Sequence, residues 1–94
     1  PEVILRHTSE LYGFPVVDLI GPSRRRPLVQ GRQIAMYVFR DLTDLSFPAI
    51  GREFGDRDHT TVIHAVDKIR SLMLSRQEIY DQVTDLIAAI KTGD

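Results

Sequence analysis

The sequence predicts an all-α fold, a small bundle of about five to six helices that contains a helix-turn-helix beside a basic loop. Apolar residues recur at helical spacing along nearly the whole chain, and no stretch alternates long enough to form a strand. Glycine and proline residues divide this pattern into separate segments. Two residues that favour helix N-termini, Ser46 and Asp58, come directly before two of the segments. These three observations favour short helices joined by tight turns.

The length of the chain suits one domain, and we expect residues 1–94 to form a single domain. Because the sequence begins at Pro1 rather than Met, we expect it to be a fragment of a longer protein. Apolar residues make up 43% of the 94 residues and can bury a modest core. The absence of cysteine excludes disulfides and weakly favours an intracellular protein. No apolar run approaches the roughly 18 residues of a membrane span, and no signal-peptide pattern is found.

The first half of the chain predicts three helical segments. The first covers residues 2–12 and can be terminated by Gly13. A short helical turn follows at 16–21, and the proline-containing stretch 21–27 is expected to be a loop. Helical spacing returns over 28–42. The buried stripe of the first helix is expected to contain Val3, Ile4, His7 and Leu11.

Two capped segments then form the predicted helix-turn-helix, residues 46–74. Ser46 is expected to cap its first helix, in which Pro48 occupies the first turn. A glycine-containing turn leads to Asp58, the expected cap of the second helix. The sequence Ser75–Glu78 has the form of a capping box and is expected to begin the last helix.

Charge is unevenly distributed along the chain, although the net charge is only -1. The window 21–40 contains five arginines and no acid, whereas the remaining residues contain seven bases and thirteen acids. The arginines are Arg24, Arg25, Arg26, Arg32 and Arg40, and the last two are expected to lie off the buried face of their helix. A local basic region on an acidic domain indicates a surface for an anionic partner. The alternative is a solvated loop without a partner.

A polar cluster, "DHTT", lies where the second helix of the motif is expected to start. Asp58 can cap the helix, and it can also accept a hydrogen bond from cytosine. Thr60 and Thr61 can offer methyl groups to thymine or hydroxyls to a base or phosphate. Capping alone is the simpler interpretation, but it leaves the neighbouring side chains available. We expect His64, just off the buried stripe, to have a structural role, with nucleic-acid contact as the alternative.

Metal and catalytic sites are not expected. His59 and His64 are five residues apart and therefore do not share a helix face. No local arrangement resembles a catalytic triad. The stretch "GREFGDRD" lacks the lysine and the preceding strand of a phosphate-binding loop.

Three stretches together resemble one known family. They are "RDHTTVIHA" (Arg57–Ala65), "RQIAMYV" (Arg32–Val38) and "DLTDLSFPAIG" (Asp41–Gly51). They are similar to the C-terminal DNA-binding domain of the bacterial replication initiator DnaA, and the similarity extends from about Val3 to Leu86. The nine-residue string is far more specific than a generic helix-turn-helix.

The resemblance implies an all-helical domain that binds double-stranded DNA at the DnaA box, a nonamer of the TTATCCACA type at the replication origin. In this family the helix-turn-helix enters the major groove and a basic loop enters the adjacent minor groove. The implied role is the initiation of chromosomal replication. By position, Asp58, His59 and Thr60 match the base-reading residues. Thr61 matches a contact to a base or a phosphate.

Further DNA contacts are implied outside this cluster. Arg24 matches the minor-groove arginine, and its neighbours Arg25 and Arg26 are alternatives for that role. Arg57 opens the matched nine-residue string. The phosphate-side and backbone-contacting positions of the family match Arg32, Gln33, Arg40, Phe47 and Pro48.

The resemblance also sets expectations about partners and cofactors. We expect one domain per box, because the box is asymmetric, with oligomerisation through domains that are absent here. ATP would bind an upstream domain, so we expect no cofactor in this chain, and we expect a cytoplasmic, nucleoid-associated protein. Asp56 departs from the family, which often has a second glycine at this position, although Asp tolerates left-handed backbone. Two alternatives are a dimeric helix-turn-helix regulator and a helical domain that binds an acidic protein.

Overall fold

The computed structural model describes residues 2–93, and most of these residues are helical. The helices are α1 (Glu2–Tyr12), α2 (Val16–Ile20), α3 (Arg26–Leu42), α4 (Phe47–Glu53), α5 (His59–Ser75) and α6 (Gln77–Thr92). The predicted all-α class is therefore confirmed. Within the described range, no helix is long and apolar enough to span a membrane.

The core is built around α3, which packs against α1, α2, α4, α5 and α6. Ile34, Val38 and Phe39 on α3 are fully buried. Phe39 meets Phe54 edge to face, with ring centroids 5.5 Å apart and planes at 75°. Such a pair contributes roughly 0.5–1.5 kcal/mol beyond the burial of its area. This contact fixes the end of α4 against the central helix.

The first helix ends as predicted but buries a different face. Gly13 has φ +73° and its N–H donates to the carbonyl of Ser9 over 2.9 Å, which stops α1. Thr8 is buried, and its hydroxyl donates to the carbonyl of Ile4 over 2.7 Å. Val3 and Leu11 are exposed, so the stripe predicted to contain both was wrong. The burial of Thr8 was not apparent from the sequence, because a polar residue is expected at the surface. Here the hydroxyl is hydrogen-bonded within its own helix, and the side chain can therefore be buried.

The tip of α1 is tied to the last helix by Tyr12. Its hydroxyl donates to the side-chain oxygen of Gln82 over 2.7 Å. Burial raises the pKa of Tyr12 to about 12. This bond closes the bundle between its first and last helices.

The loop before α3 is shorter than predicted, because α3 begins at Arg26 rather than at residue 28. Pro27 lies in the first turn of α3, where a backbone N–H would have no intrahelical acceptor, so the lack of one costs no helical hydrogen bond. Arg25 is the extended residue before the helix. The basic loop of the structure is therefore residues 21–25, and Arg26 belongs to the helix.

The junction between α5 and α6 lies at the predicted place, but the predicted capping box does not form. Ser75 is the last residue of α5, and its hydroxyl donates to Ser71 within the same helix. Arg76 separates the two helices with φ −133° and ψ 113°, and no side chain caps α6. The N–H of Arg76 donates to the carbonyl of Leu72 over 2.8 Å, so one extended residue suffices for the break.

Candidate nucleic-acid interface

The helices α4 and α5 are joined by a tight turn and form a helix-turn-helix. The predicted cap of α4 is confirmed, because the Ser46 hydroxyl accepts from the N–H of Ala49 over 3.2 Å. Gly51 is buried, and a Cβ built on it would overlap the carbonyl oxygen of Arg57. The N–H of Arg57 also donates to the carbonyl of Gly51 over 2.9 Å. Glycine is therefore required where the turn crosses back over α4.

The turn uses two consecutive left-handed residues, Gly55 with φ +73° and Asp56 with φ +61°. Asp adopts this conformation more readily than most residues, so the departure from a glycine pair is accommodated. A Cβ built on Gly55 would lie 2.6 Å from the carbonyl oxygen of Ile20. The turn of the helix-turn-helix thus packs directly against the end of α2, at the start of the basic loop.

The start of α5 is an exposed polar group, Asp58–Thr61, which we call the recognition tip. The predicted cap is confirmed, because the Asp58 carboxylate accepts from the N–H of Thr60 over 3.3 Å. The same carboxylate accepts from the hydroxyl of Thr60. The Nδ1 of His59 lies 3.4 Å from its other oxygen. All four side chains of the tip face solvent rather than the core.

Arg57, immediately before the tip, bonds to backbone carbonyls instead of facing solvent freely. Its guanidinium donates to the carbonyl of Phe54 over 2.6 Å, to that of Ile20 over 3.1 Å and to that of Gly21 over 2.5 Å. Burial lowers the pKa of Arg57 from its ordinary value. The carbonyls of Ile20 and Gly21 lie at the C-terminal end of α2, where a cation is favoured.

Arg32, on α3, also donates to backbone carbonyls of this segment. It is only 5% exposed, so its predicted position off the buried face of the helix was wrong. Its guanidinium donates to the carbonyls of Leu19 over 2.6 Å, Ser23 over 3.0 Å and Asp18 over 3.2 Å. Burial, and to a lesser extent the charge of Arg57, lowers the pKa of Arg32. We call Arg32 and Arg57 the carbonyl clamp, since together they hold the end of α2 and the start of the loop.

The clamp brings the basic loop to the recognition tip. Arg24 of the loop and Thr61 of the tip line the same open groove, which has a volume of about 670 Å³. The clamp residues and Gly55 also line this groove. Arg24 is exposed, and so is Thr61. The structure therefore places these two predicted site residues on one surface.

The other predicted loop cations differ in their surroundings. The guanidinium of Arg25 lies 5.9 Å from the ring centroid of Phe14, in a cation–π contact. Arg26 lies in the first turn of α3 and is exposed. Of the three consecutive arginines, Arg24 lines the groove shared with the tip.

The remaining predicted residues lie beside α4 and along α3. Arg40 stacks on Phe47, with the guanidinium carbon 4.2 Å from the ring centroid, and it donates to the carbonyl of Leu45 over 3.3 Å. Pro48 is exposed in the first turn of α4. Gln33 is half-buried and lines a neighbouring depression together with Thr61.

Three more residues lie on this surface, and two of them were not predicted from the sequence. His64, for which a structural role was expected and nucleic-acid contact was the alternative, is exposed and lines the depression next to Thr61. Lys68 lines the same depression, and Arg76 lies beyond it. Helical spacing contained a signal for Lys68, because positions 61, 64 and 68 share one face of a helix.

No group of three or more His, Cys, Asp or Glu residues that could hold a metal ion occurs between residues 2 and 93. The candidate surface is instead composed of arginines and of the hydroxyl groups at the start of α5. Such groups bind anions by charge and by hydrogen bonding.

A capped second helix with an exposed polar tip, joined to α4 by a tight turn, defines a helix-turn-helix domain with a basic loop beside it. Sequence comparison assigns the family. Residues 1–69 match the family described as "Bacterial dnaA protein helix-turn-helix", and the chain belongs to this family. It is 50% identical over 91 residues to the chromosomal replication initiator protein DnaA of Cutibacterium acnes, which covers 97% of this chain and 18% of that protein. The chain thus spans less than a fifth of that relative's length.

Proposed function

We propose that this domain binds double-stranded DNA at DnaA-box-type nonamers of the replication origin, for initiation of chromosomal replication. The family match and the name of the relative, a chromosomal replication initiator protein, support this function. The chain acts in binding and has no catalytic role of its own. We expect any ATP binding to reside outside this chain. A DNA partner would place the protein in the nucleoid of the cytoplasm.

The proposal rests on one observation, that Arg24 of the loop and Thr61 of the tip line the same groove. The major and minor grooves of a duplex are separated by one phosphate strand. A protein that reads both grooves must therefore offer two projections with a trough between them. The recognition tip is one projection, the loop is the other, and the groove lies between them. In this arrangement the tip enters the major groove and Arg24 enters the minor groove, where a narrow A·T-rich segment attracts arginine.

The chemistry of the tip supports direct readout of bases. The Thr60 hydroxyl is bonded to the Asp58 carboxylate, which leaves the Thr60 methyl for contact with a thymine methyl. The carboxylate retains lone pairs after capping and can accept from cytosine N4. His59 adds a ring nitrogen at the same tip. In this proposal Thr61 contacts a base or a phosphate. The nearby Gln33 contacts the phosphate backbone, and Arg40, Phe47 and Pro48 do so from the side of α4.

The proposal is tested by fluorescence anisotropy with a box duplex and a scrambled duplex of equal length. Wild-type protein is expected to prefer the box, and Thr60→Ala to lose roughly 1–3 kcal/mol on the box and little on the scrambled duplex. Thr60→Ser keeps the hydroxyl but removes the methyl, so it should lose nearly as much as Thr60→Ala. Equal binding of the two duplexes by wild-type protein would contradict sequence-specific recognition.

Stoichiometry separates this mode from that of a dimeric regulator. Because the box is asymmetric, one domain should occupy each box. Sedimentation of the domain with a single-box duplex is expected to give one protomer per duplex. Two protomers per duplex would instead favour a regulator that reads a palindrome.

A further inference from the structure

The groove between the loop and the tip continues along the protein surface between α3 and α5. Its second section shares Arg32, Arg57 and Thr61 with the first, and it also contains His64. A third section shares Val29, Gln33 and Lys68 with the second. Because they share lining residues, the three depressions adjoin one another along this surface. We call the third section the flank groove; it is lined by Arg26, Val29, Gln30, Gln33, Lys68, Leu72 and Arg76.

The flank groove has the composition of an anion-binding surface. It contains three cations and two glutamines, and no carboxylate lines it. Arg26, Lys68 and Arg76 are all exposed. Within residues 2–93, no ion pair is formed by Lys68 or Arg76. By contrast, the exposed Arg70, on another face of α5, lies 3.3 Å from Asp67. Three like charges facing one trough repel each other unless an anion binds there.

We propose that the flank groove binds phosphates of the duplex that flank the box, with Lys68 and Arg76 as the contacting residues. This inference rests on the proposed function, because it extends the surface that carries Arg24 and Thr61. The ligand is the phosphodiester backbone, and no base sequence is read there. Continuity with the box-binding groove and the absence of carboxylates both favour a nucleic-acid backbone as the occupant.

The length of the groove determines the length of DNA that it requires. Lys68 is seven residues beyond Thr61, which is about 10 Å along α5. Arg76 follows the end of α5, about 22 Å from Thr61. Successive phosphates of one strand advance about 3.4 Å along the duplex axis. The distance from Thr61 to Arg76 therefore corresponds to about six base pairs, counted from the base pair that Thr61 contacts within the box, and a bend of the duplex toward the protein would bring flanking phosphates closer.

The test compares a box duplex closed by a hairpin with the same box carrying ten additional base pairs of fixed sequence on one side or the other. At low salt, the added duplex on one of the two sides is expected to increase the affinity of wild-type protein about tenfold, and the added duplex on the other side is not. It should also steepen the dependence of log K on log salt by about two, one for each cation. The double variant Lys68→Ala/Arg76→Ala should lose this gain and the added salt dependence, each measured relative to its own affinity for the unflanked box. The matched control, Arg70→Ala/Lys91→Ala, removes the same charge from other faces and should keep the gain.

Each outcome decides a different point. If wild-type protein binds the unflanked box but neither flank increases its affinity, the flank groove does not bind DNA and the proposed function stands. An equal loss of the flank gain in both double variants would show a general charge effect and overturn the assignment. Polyglutamate is the alternative probe: if Lys68→Ala/Arg76→Ala abolishes its binding and leaves the flank gain intact, the groove binds an acidic protein instead. Failure of wild-type protein to prefer the box would overturn the proposed function itself.

Discussion

The carbonyl clamp and the recognition tip lie on the same groove, but they use their polar groups in opposite ways. The clamp arginines donate six hydrogen bonds to backbone carbonyls, and Arg32 is almost completely buried. The tip residues are exposed, and their bonds are to one another. The clamp therefore determines where the loop lies relative to the tip. The tip supplies the groups that can contact a ligand.

The difference shows that a positive charge beside a nucleic-acid surface is not by itself a ligand contact. Arg32 and Arg24 are eight residues apart and both line the groove. One donates to three carbonyls of its own chain, whereas the other is exposed. Removal of Arg32 should act mainly on stability, and removal of Arg24 should act on binding alone. The predicted DNA contacts of Arg32 and Arg57 stay predictions, to be judged after the effects on stability are known.

The largest effect is expected from Arg32→Ala, which should lower the free energy of unfolding by about 3 kcal/mol. Three carbonyls near the end of α2 would lose a charged donor, and a hydrogen bond to a charged group contributes roughly 1.5–3 kcal/mol. Arg32→Lys should recover only part of the loss, because one ammonium cannot reproduce the planar fork. Urea denaturation measures both variants. A loss below about 1 kcal/mol for Arg32→Ala would mean that water replaces the guanidinium readily.

Arg57→Ala is expected to lower the free energy of unfolding by about 2 kcal/mol, less than Arg32→Ala because Arg57 is less buried. The carbonyls of Ile20 and Gly21 would lose their link to the turn, although the backbone bond from the N–H of residue 57 to Gly51 remains. The loop would then be less well fixed beside the tip. Box affinity, measured where the variant is fully folded, should therefore fall as well. Unchanged box affinity would show that the loop keeps its position without this side chain.

The two regions also differ in how far the sequence could predict them. The tip was predicted correctly as a capped helix start, because Asp58 and its partners His59 and Thr60 are one or two residues apart. Local motifs of this kind appear directly in the sequence. The helix order, the break before α6 and the all-α class were predictable for the same reason, since they depend on local spacing and local breaks.

The clamp was not predictable, because its partners are distant in the chain and are backbone atoms. Arg57 and Ile20 are 37 residues apart, and Arg32 and Leu19 are 13 apart. Backbone carbonyls carry no residue-specific signal, so an arginine that binds them looks in sequence like any exposed arginine. The sequence also left the role of His64 open, because this exposed residue lines a depression together with residues of both α3 and α5. The local pattern showed only that His64 lies near the edge of the buried stripe.

The tip itself can be separated into its two roles by substitution of its cap. Asp58→Ala removes the cap and should lower the free energy of unfolding by about 1 kcal/mol. Asp58→Asn should retain most of this stability, because Asn is an equally good cap, but it replaces a carboxylate oxygen with an amide donor. We therefore expect Asp58→Asn to lose box preference while it remains stable. If it keeps full preference for the box over the scrambled duplex, Asp58 is a cap only.

The smallest effect on stability is expected from Arg24→Ala, which should change the free energy of unfolding by no more than about 0.5 kcal/mol because the side chain is exposed. DNA affinity should nevertheless fall on both box and scrambled duplexes, and the slope of log K against log salt should decrease by about one. Arg25→Ala is the control, since Arg25 lies against Phe14 and has the same charge. A larger affinity loss for Arg25→Ala would assign the minor groove to that residue. The clamp would then fix the position of the loop but would not determine which loop arginine contacts DNA. The contrast would hold between the buried clamp arginines and the exposed loop arginines together, and not for Arg24 alone.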